Sequence, residues 1–325
     1  MLLRSSLQEH EYIPNILYIL HIFFVFMERK LIKQGSGSFT ITLPKEWVES
    51  VNLETEETVK LTIDGKYLIV SPKKETQKEK EIRIDIQKFN ERSIKNVLYQ
   101  NYRRGYDVIK LKTDNEEIIQ RVANALMGFE ALRNGDEVWV ENVAEPSHQR
   151  FDKILRRLFF IVKEEAKTIT TAMKEQTPID MKKRKSEKQR FDKYTNYCRR
   201  TLAKNLHTRK HEGVILYQIV SRLSLLQHAY YYMAKQSTKN NKETIRFLEE
   251  ANKLLDEVYN AFYKKDLEKA HQIGKKKDEL LFKQLYKTIK NSPDAATLYH
   301  IGEIIRLTHL ISTNIFGLYT MGETA

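Results

Sequence analysis

The sequence predicts a multidomain α+β chain: an N-terminal β module, a small α+β unit, and a C-terminal all-α bundle of six helices in two three-helix repeats. Three observations carry this. Polar and apolar residues alternate with period two through Ser38-Phe-Thr-Ile-Thr-Leu43, a half-buried strand, and two further strand runs flank the hairpin signal Asp64-Gly65. Strand and helix patterns then alternate between residues 81 and 143. From Pro146 onward strand signals fade and apolar residues recur at helical spacing. Eleven Gly and six Pro among 325 residues fit long helices better than a loop-rich sandwich.

At the N-terminus, Ile16 to Met27 is apolar except for His21. Twelve helical residues span ~18 Å against a bilayer core of ~30 Å, so the stretch is too short to cross one. Pro14-Asn15 and Glu28-Arg29-Lys30 bound it, and no small-residue cleavage site follows. The expectation is that Met27 is the true start and 1–26 an upstream extension. A membrane-surface anchor and a packed helix are the other two readings.

Residues 27–75 form the first folded segment. Arg29 to Gln34 reads as a strand ending at the turn Gly35-Ser-Gly37, where positive φ costs little. After the 38–43 strand, Pro44 is expected at the first position of a short helix to Ser50. Strands over 58–63 and 66–70 complete the segment. About 45 residues make too small a core to stand alone, so the module is expected to pair with a second copy.

Lys73 to Lys80 is a polar linker. In the α+β unit, 81–145, strands are expected at 81–86, 108–112 and 137–143 and helices at about 90–104 and 115–132. The second helix opens on the capping box Asp114-Asn-Glu-Glu117, and Gly105 fits the left-handed position that ends the first. In the helical domain, 147–320, helices are expected at about 148–173, 187–209, 213–236, 242–263, 266–290 and 294–318. The last shows two adjoining apolar stripes, Leu298, Ile301, Ile305 and Thr308 beside Ile304, Leu307, Ile311 and Ile315.

The formal charge is +13, and +10 of it lies between Lys182 and Lys210, where twelve basic residues meet Glu187 and Asp192. A solvated helix start is the plain reading of such a run. A docking face for an anionic partner, built on Lys182, Lys183, Arg184, Lys185, Arg199 and Arg200, is the functional one. Residues 27–75 hold eight basic and eight acidic residues, so any DNA-binding role there rests on placement.

One cysteine, Cys198, excludes an intrachain disulfide framework and is expected to be a buried structural thiol in a reducing compartment. His207 and His211 stand i, i+4 without the glutamate of a zinc-protease motif, and read as exposed helix-end side chains. Tyr230-Tyr-Tyr232 is expected in the core and interface of the bundle. Phosphate-loop, nucleophile-elbow and dinucleotide fingerprints are missing, so no enzymatic activity and no cofactor are expected.

The stretch Arg29-Lys-Leu-Ile-Lys-Gln-Gly-Ser-Gly-Ser-Phe-Thr-Ile-Thr-Leu-Pro-Lys-Glu-Trp-Val48 resembles the SpoVT/AbrB-like, MazE-like swapped-hairpin DNA-binding domain. It is most similar to the version in archaeal PhoU-like phosphate-uptake regulators. Tyr102-Arg-Arg-Gly-Tyr-Asp-Val-Ile109, Gly128-Phe-Glu130 and Leu155-Arg-Arg-Leu158 follow in the order and spacing of those proteins, and the six-helix region fits their PhoU-like bundle. The resemblance implies a cytoplasmic homodimer that binds DNA and regulates phosphate uptake. Phosphate ABC transporter subunits or other phosphate-signalling proteins would be its partners, with membrane contact only through them. Carried over, Arg29, Lys30, Lys33 and Lys45 would meet phosphates, while Ser36, Ser38, Thr40 and Thr42 would donate hydrogen bonds. An adaptor that uses the head only to dimerise is the alternative. The acidic metal clusters of bacterial PhoU proteins are not matched: Tyr194, Asn196, Gln227 and His309 stand where acids are expected, leaving Asp192 at one acidic position and Asp278 and Glu303 isolated. No metal is expected, with Asp192, His228 and His309 as the residues of any altered site.

Overall fold

The computed structural model describes residues 27–320 except 36, 56, 65–66, 74–78, 145–149, 206–209 and 237–240, and only the backbone of Asp64, Lys210 and His211. The expectations for 1–26, Ser36, Gly65, His207 and the His211 side chain lie outside the described residues. Backbone contacts divide the chain into two units, Met1–Gln77 and Lys78–Ala325.

The described residues of the first unit form two hairpins and one short helix. Strand β1 (Ile32–Gln34) pairs antiparallel with β2 (Ser38–Thr40). Helix α1 (Lys45–Ser50) follows, then β3 (Val59–Asp64) paired antiparallel with β4 (Tyr67–Pro72). Gly35 turns β1 into β2 at φ 62°. Pro44 sits one place earlier than expected: its ψ of 129° makes it the extended residue before α1, whose carbonyl accepts from Trp47 and Val48 at 3.1 Å.

The second unit begins with β5 (Glu81–Asp85), α2 (Glu91–Arg103), β6 (Val108–Lys112), α3 (Glu116–Ala123), β7 (Phe129–Asn134) and β8 (Glu137–Asn142). The strands form one sheet in the order β5-β6-β8-β7, parallel between β5 and β6 and antiparallel elsewhere. Asn90 caps α2 by accepting from the Ser93 amide at 2.9 Å, and Gly105 ends it at φ 82°. Ile94, Leu98 and Tyr102 of α2 are buried with Ile119 and Val122 of α3 and Ile109, Leu111, Val138 and Val140 of the sheet.

The helix expected over 115–132 stops at Ala123, and Phe129–Asn134 is strand β7 instead. Glu, Ala, Leu and Arg favour helices locally, but pairing with β8 and burial of Phe129 and Ala131 decide the conformation. Gly128 makes the switch: at φ 80° its absent Cβ would lie 2.1 Å from the Ala144 carbonyl oxygen. Nor does the expected capping box form. Asn115, rather than Asp114, precedes the helix, and its amide bonds Thr113 Oγ1 at 3.1 Å.

Helices α4 (Phe151–Glu175), α5 (Met181–Lys204), α6 (Lys210–Gln236), α7 (Lys242–Lys264), α8 (Leu267–Asp278), α9 (Tyr286–Ile289) and α10 (Ala295–Tyr319) form the remainder. The single helix expected over 266–290 is a composite: α8 runs into a π-helical segment, Glu279–Leu285, and then into α9. Helix α5 starts six residues earlier than expected, because Asp180 caps it by accepting from the Lys183 amide at 3.0 Å. The basic run is therefore helical. Both stripes expected on the last helix are buried, Leu298 through Ile315, in a core that includes Phe159, Tyr197, Leu223 and Phe247.

Candidate nucleic-acid interface

In antiparallel pairing, directly opposed residues point to the same face. Along the first hairpin Ile32 opposes Thr40, Lys33 opposes Phe39, and Gln34 opposes Ser38. Thus Ser38 and Thr40 share a face with Gln34 and Ile32, while Lys33 lies on the other face with Phe39. The structure does not gather the expected DNA-contacting side chains on one face of this hairpin. Arg29 and Lys30 precede β1 in unpaired chain, and Thr42 follows β2; all are exposed. Lys45 opens α1 with its ammonium 3.5 Å from Glu49 Oε1, an exposed i, i+4 pair worth little in water.

The second hairpin has an unexpected asymmetry. Val59, Leu61 and Ile63 oppose Pro72, Val70 and Leu68, which puts six apolar residues on one face. Leu61, Ile63 and Leu68 are 59%, 80% and 55% exposed, and no described residue of 27–73 is buried. Isolated exposed apolar side chains are ordinary, but an aligned set on a two-stranded ribbon, which is marginal alone, is a candidate contact surface. Alternation in Val59-Lys-Leu-Thr-Ile63 is its sequence signal.

The basic face expected on α5 is corrected by burial. Lys182, Lys183 and Lys185 are exposed, but Arg184, Arg199 and Arg200 are buried. Arg184 forms an ion pair with Glu165 of α4. Burial there pushes the Glu165 carboxyl above its ordinary range, against the pull of Arg184. Arg200 donates to the carbonyls of Tyr102 and Tyr106 at 3.1 and 2.6 Å and to Asp107, and its guanidinium lies over the rings of Tyr102 and Phe129. Lys204 Nζ reaches the same Asp107 carboxylate at 2.9 Å. Burial opposes charge on Asp107, but bonds from Lys204 and the Lys80 amide, with the Lys204 and Arg200 charges, hold its carboxyl below the usual range. These arginines bind α5 to α4 and to the sheet unit. Of the six residues expected on that face, only Lys182, Lys183 and Lys185 are exposed.

Asp192 Oδ1 lies 3.2 Å from His228 Nε2, and Lys188 Nζ lies 2.9 Å from Asp192 Oδ2. Burial resists its ionisation, yet those two partners hold its carboxyl below the ordinary range. His309 is half-buried, 3.6 Å from where a Cβ on Gly274 would stand, and burial followed by the Lys277 charge lowers its pKa. Among the described residues no group of three or more His, Cys, Asp or Glu converges on a metal position. Cys198 is buried, and that burial pushes its thiol upward, away from the reactive thiolate. Of the tyrosines expected in the core and interface of the bundle, Tyr230 is buried and Tyr232 is exposed. Among the described residues no helix is long and apolar enough to cross a membrane.

No curated protein and no solved structure matches the chain. Residues 32–78, which hold both hairpins and α1 and end at the boundary between the two units, match the family model described as "Antidote-toxin recognition MazE, bacterial antitoxin", so the N-terminal unit is similar to a MazE/AbrB-type module.

Proposed function

We propose that the protein is a homodimeric DNA-binding regulator whose N-terminal unit pairs with its counterpart through the apolar face of β3 and β4. The observation that carries the reading is the unburied face, Leu61, Ile63 and Leu68 with Val59, Val70 and Pro72, inside the stretch similar to MazE-type domains. Covering it leaves Arg29, Lys30, Lys33 and Lys45 to neutralise DNA phosphates, with Ser38, Thr40 and Thr42 as short-range donors. Its finer assignment is the regulation of phosphate uptake, supported by the resemblance of residues 102–109, 128–130 and 155–158 to PhoU-like regulators. Lys182, Lys183 and Lys185 would dock the partner in that assignment, and no catalytic step belongs to it.

The test is a salt titration of duplex DNA binding. Lys33→Ala and Lys45→Ala should each weaken binding across sequences and reduce the salt slope by about one. Unchanged affinity and slope in both variants remove the DNA reading. For phosphate, native pulldown with and without phosphate should recover transporter or phosphate-signalling proteins in one condition only.

A second reading is an adaptor that uses the head solely to dimerise. It is favoured by the split of Lys33 from Ser38 and Thr40 across the first hairpin and by the balanced charge of 27–75. Dimerisation without DNA binding would select it.

A further inference from the structure

Two consecutive arginines of α5 are buried on different terms. Arg200 has carbonyls and the Asp107 carboxylate to receive its protons. Arg199 is 8% exposed, its Nε is buried with no hydrogen-bond partner, and no carboxylate among the described residues pairs with it. Burial, then repulsion from the Arg103 guanidinium, lowers its pKa to about 10, so it remains charged at neutral pH. Arg103, the last residue of α2, approaches from the sheet unit and donates through Nε to Asn196 Oδ1 at 2.8 Å. Asn196 stands one turn before Arg199 on the same helix face, fully buried, and its Nδ2 also lacks a partner.

Burying a cation without a partner is costly, and an orphaned amide donor adds to that cost. The nearby carboxylate, Asp192, is already engaged by His228 and Lys188. Arg199 Nε and Asn196 Nδ2 are thus gathered without partners beside a second guanidinium, Arg103, whose Nε is held by Asn196. Guanidinium forks and amide N–H groups match the oxygens of phosphate or sulfate. Tyr217 of α6 is an electrostatic neighbour of both guanidiniums, and it and Arg103 are half-buried, so the cluster meets solvent. We propose that Arg103, Asn196 and Arg199 hold a small tetrahedral oxoanion, as phosphate, sulfate or the phosphate of a monoester, at the junction of α2, α5 and α6. Bound there, it would cross-link the sheet unit to the bundle.

Every residue of this site lies in the second unit, so its failure and that of the DNA reading are separate results. The test follows the melting temperature and calorimetric binding of the full chain at constant ionic strength with sodium chloride. Inorganic phosphate, sulfate, O-phosphoserine and acetate are the ligands. Phosphate or sulfate should raise the melting temperature saturably, by about 5 °C. A response to phosphoserine alone assigns the site to phosphate carried on a larger molecule. Arg199→Met and Arg103→Gln should lower affinity at least about tenfold, while Lys182→Ala, on the exposed helix start, should not. Arg199→Met should also leave the melting temperature without added oxoanion unchanged or higher, because an unpaired buried charge is gone; a purely structural arginine would lower it. No saturable response to any tetrahedral anion, a response to acetate alone, or an Arg199→Met variant with unaltered affinity overturns the assignment.

Discussion

In the N-terminal unit no described residue is buried, whereas the second unit encloses two cores, one beneath the β5-β6-β8-β7 sheet and one within the helices. The contrast separates two ways of using apolar residues. Ile94, Leu98 and Tyr102 meet partners from the same chain, so their burial stabilises a single copy. Leu61, Ile63 and Leu68 are aligned just as regularly but stay exposed among the described residues, and in the proposed dimer their contribution would depend on protein concentration.

The sharpest way to break that contrast is the double substitution Leu61→Asp and Ile63→Asp. It should abolish dimerisation in analytical ultracentrifugation and leave the helical circular-dichroism signal intact. A variant that remains dimeric would show that pairing resides elsewhere. In the second unit, Arg200→Ala should destabilise by about 3–5 kcal/mol in urea titration, because Asp107 and two carbonyls lose a buried partner. A loss below 1 kcal/mol would mean that this contact contributes little to joining sheet and bundle.

Gly128→Ala should cost more than about 1 kcal/mol, since the new Cβ meets the Ala144 carbonyl and φ is positive. Replacing the buried pair whole, Glu165→Leu with Arg184→Met, should be neutral or stabilising, while Arg184→Ala alone should be strongly destabilising; thermal melts of the three proteins decide it. Acid acts through carboxyls whose folded pKa values are depressed, Asp107 and Asp192. Their contribution is complete above the unfolded value of ~3.9 and is lost as pH falls through the folded values. The urea midpoint of Asp107→Asn should therefore fall below wild type at pH 7 and approach it toward pH 2. A constant gap would exclude this linkage. The smallest effect concerns Cys198: native protein should react with a thiol reagent only at its unfolding rate.

Much of the backbone was legible because local and tertiary signals agree. Strands 81–85 and 108–112, helix 91–103 and the long helices carry their periodicity, caps and breaks in the sequence. Where they disagree, tertiary pairing prevails: Phe129-Glu-Ala-Leu-Arg-Asn134 has helix-forming composition and is a strand because β8 lies beside it. The hydrophilicity of Met181-Lys-Lys-Arg-Lys185 likewise suggested a helix start further on, yet Asp180 caps it there. The candidate interface was legible as a motif and illegible as a surface. Register alone reveals that Lys33 and Ser38 point to opposite faces, and composition could not distinguish the solvated Lys182 from the interior Arg199 and Arg200.

The Arg200 contacts also decide where the polypeptide can be divided. Its guanidinium belongs to the helical bundle by sequence, yet it donates to the Tyr102 and Tyr106 carbonyls and to Asp107 of the sheet unit. A fragment beginning near residue 147 would carry that cation without these three acceptors, and the complementary piece would keep Asp107 without Arg200 and Lys204. Limited proteolysis should accordingly spare the 81–320 region as one resistant block, and expression of isolated pieces should succeed only when the cut precedes residue 80.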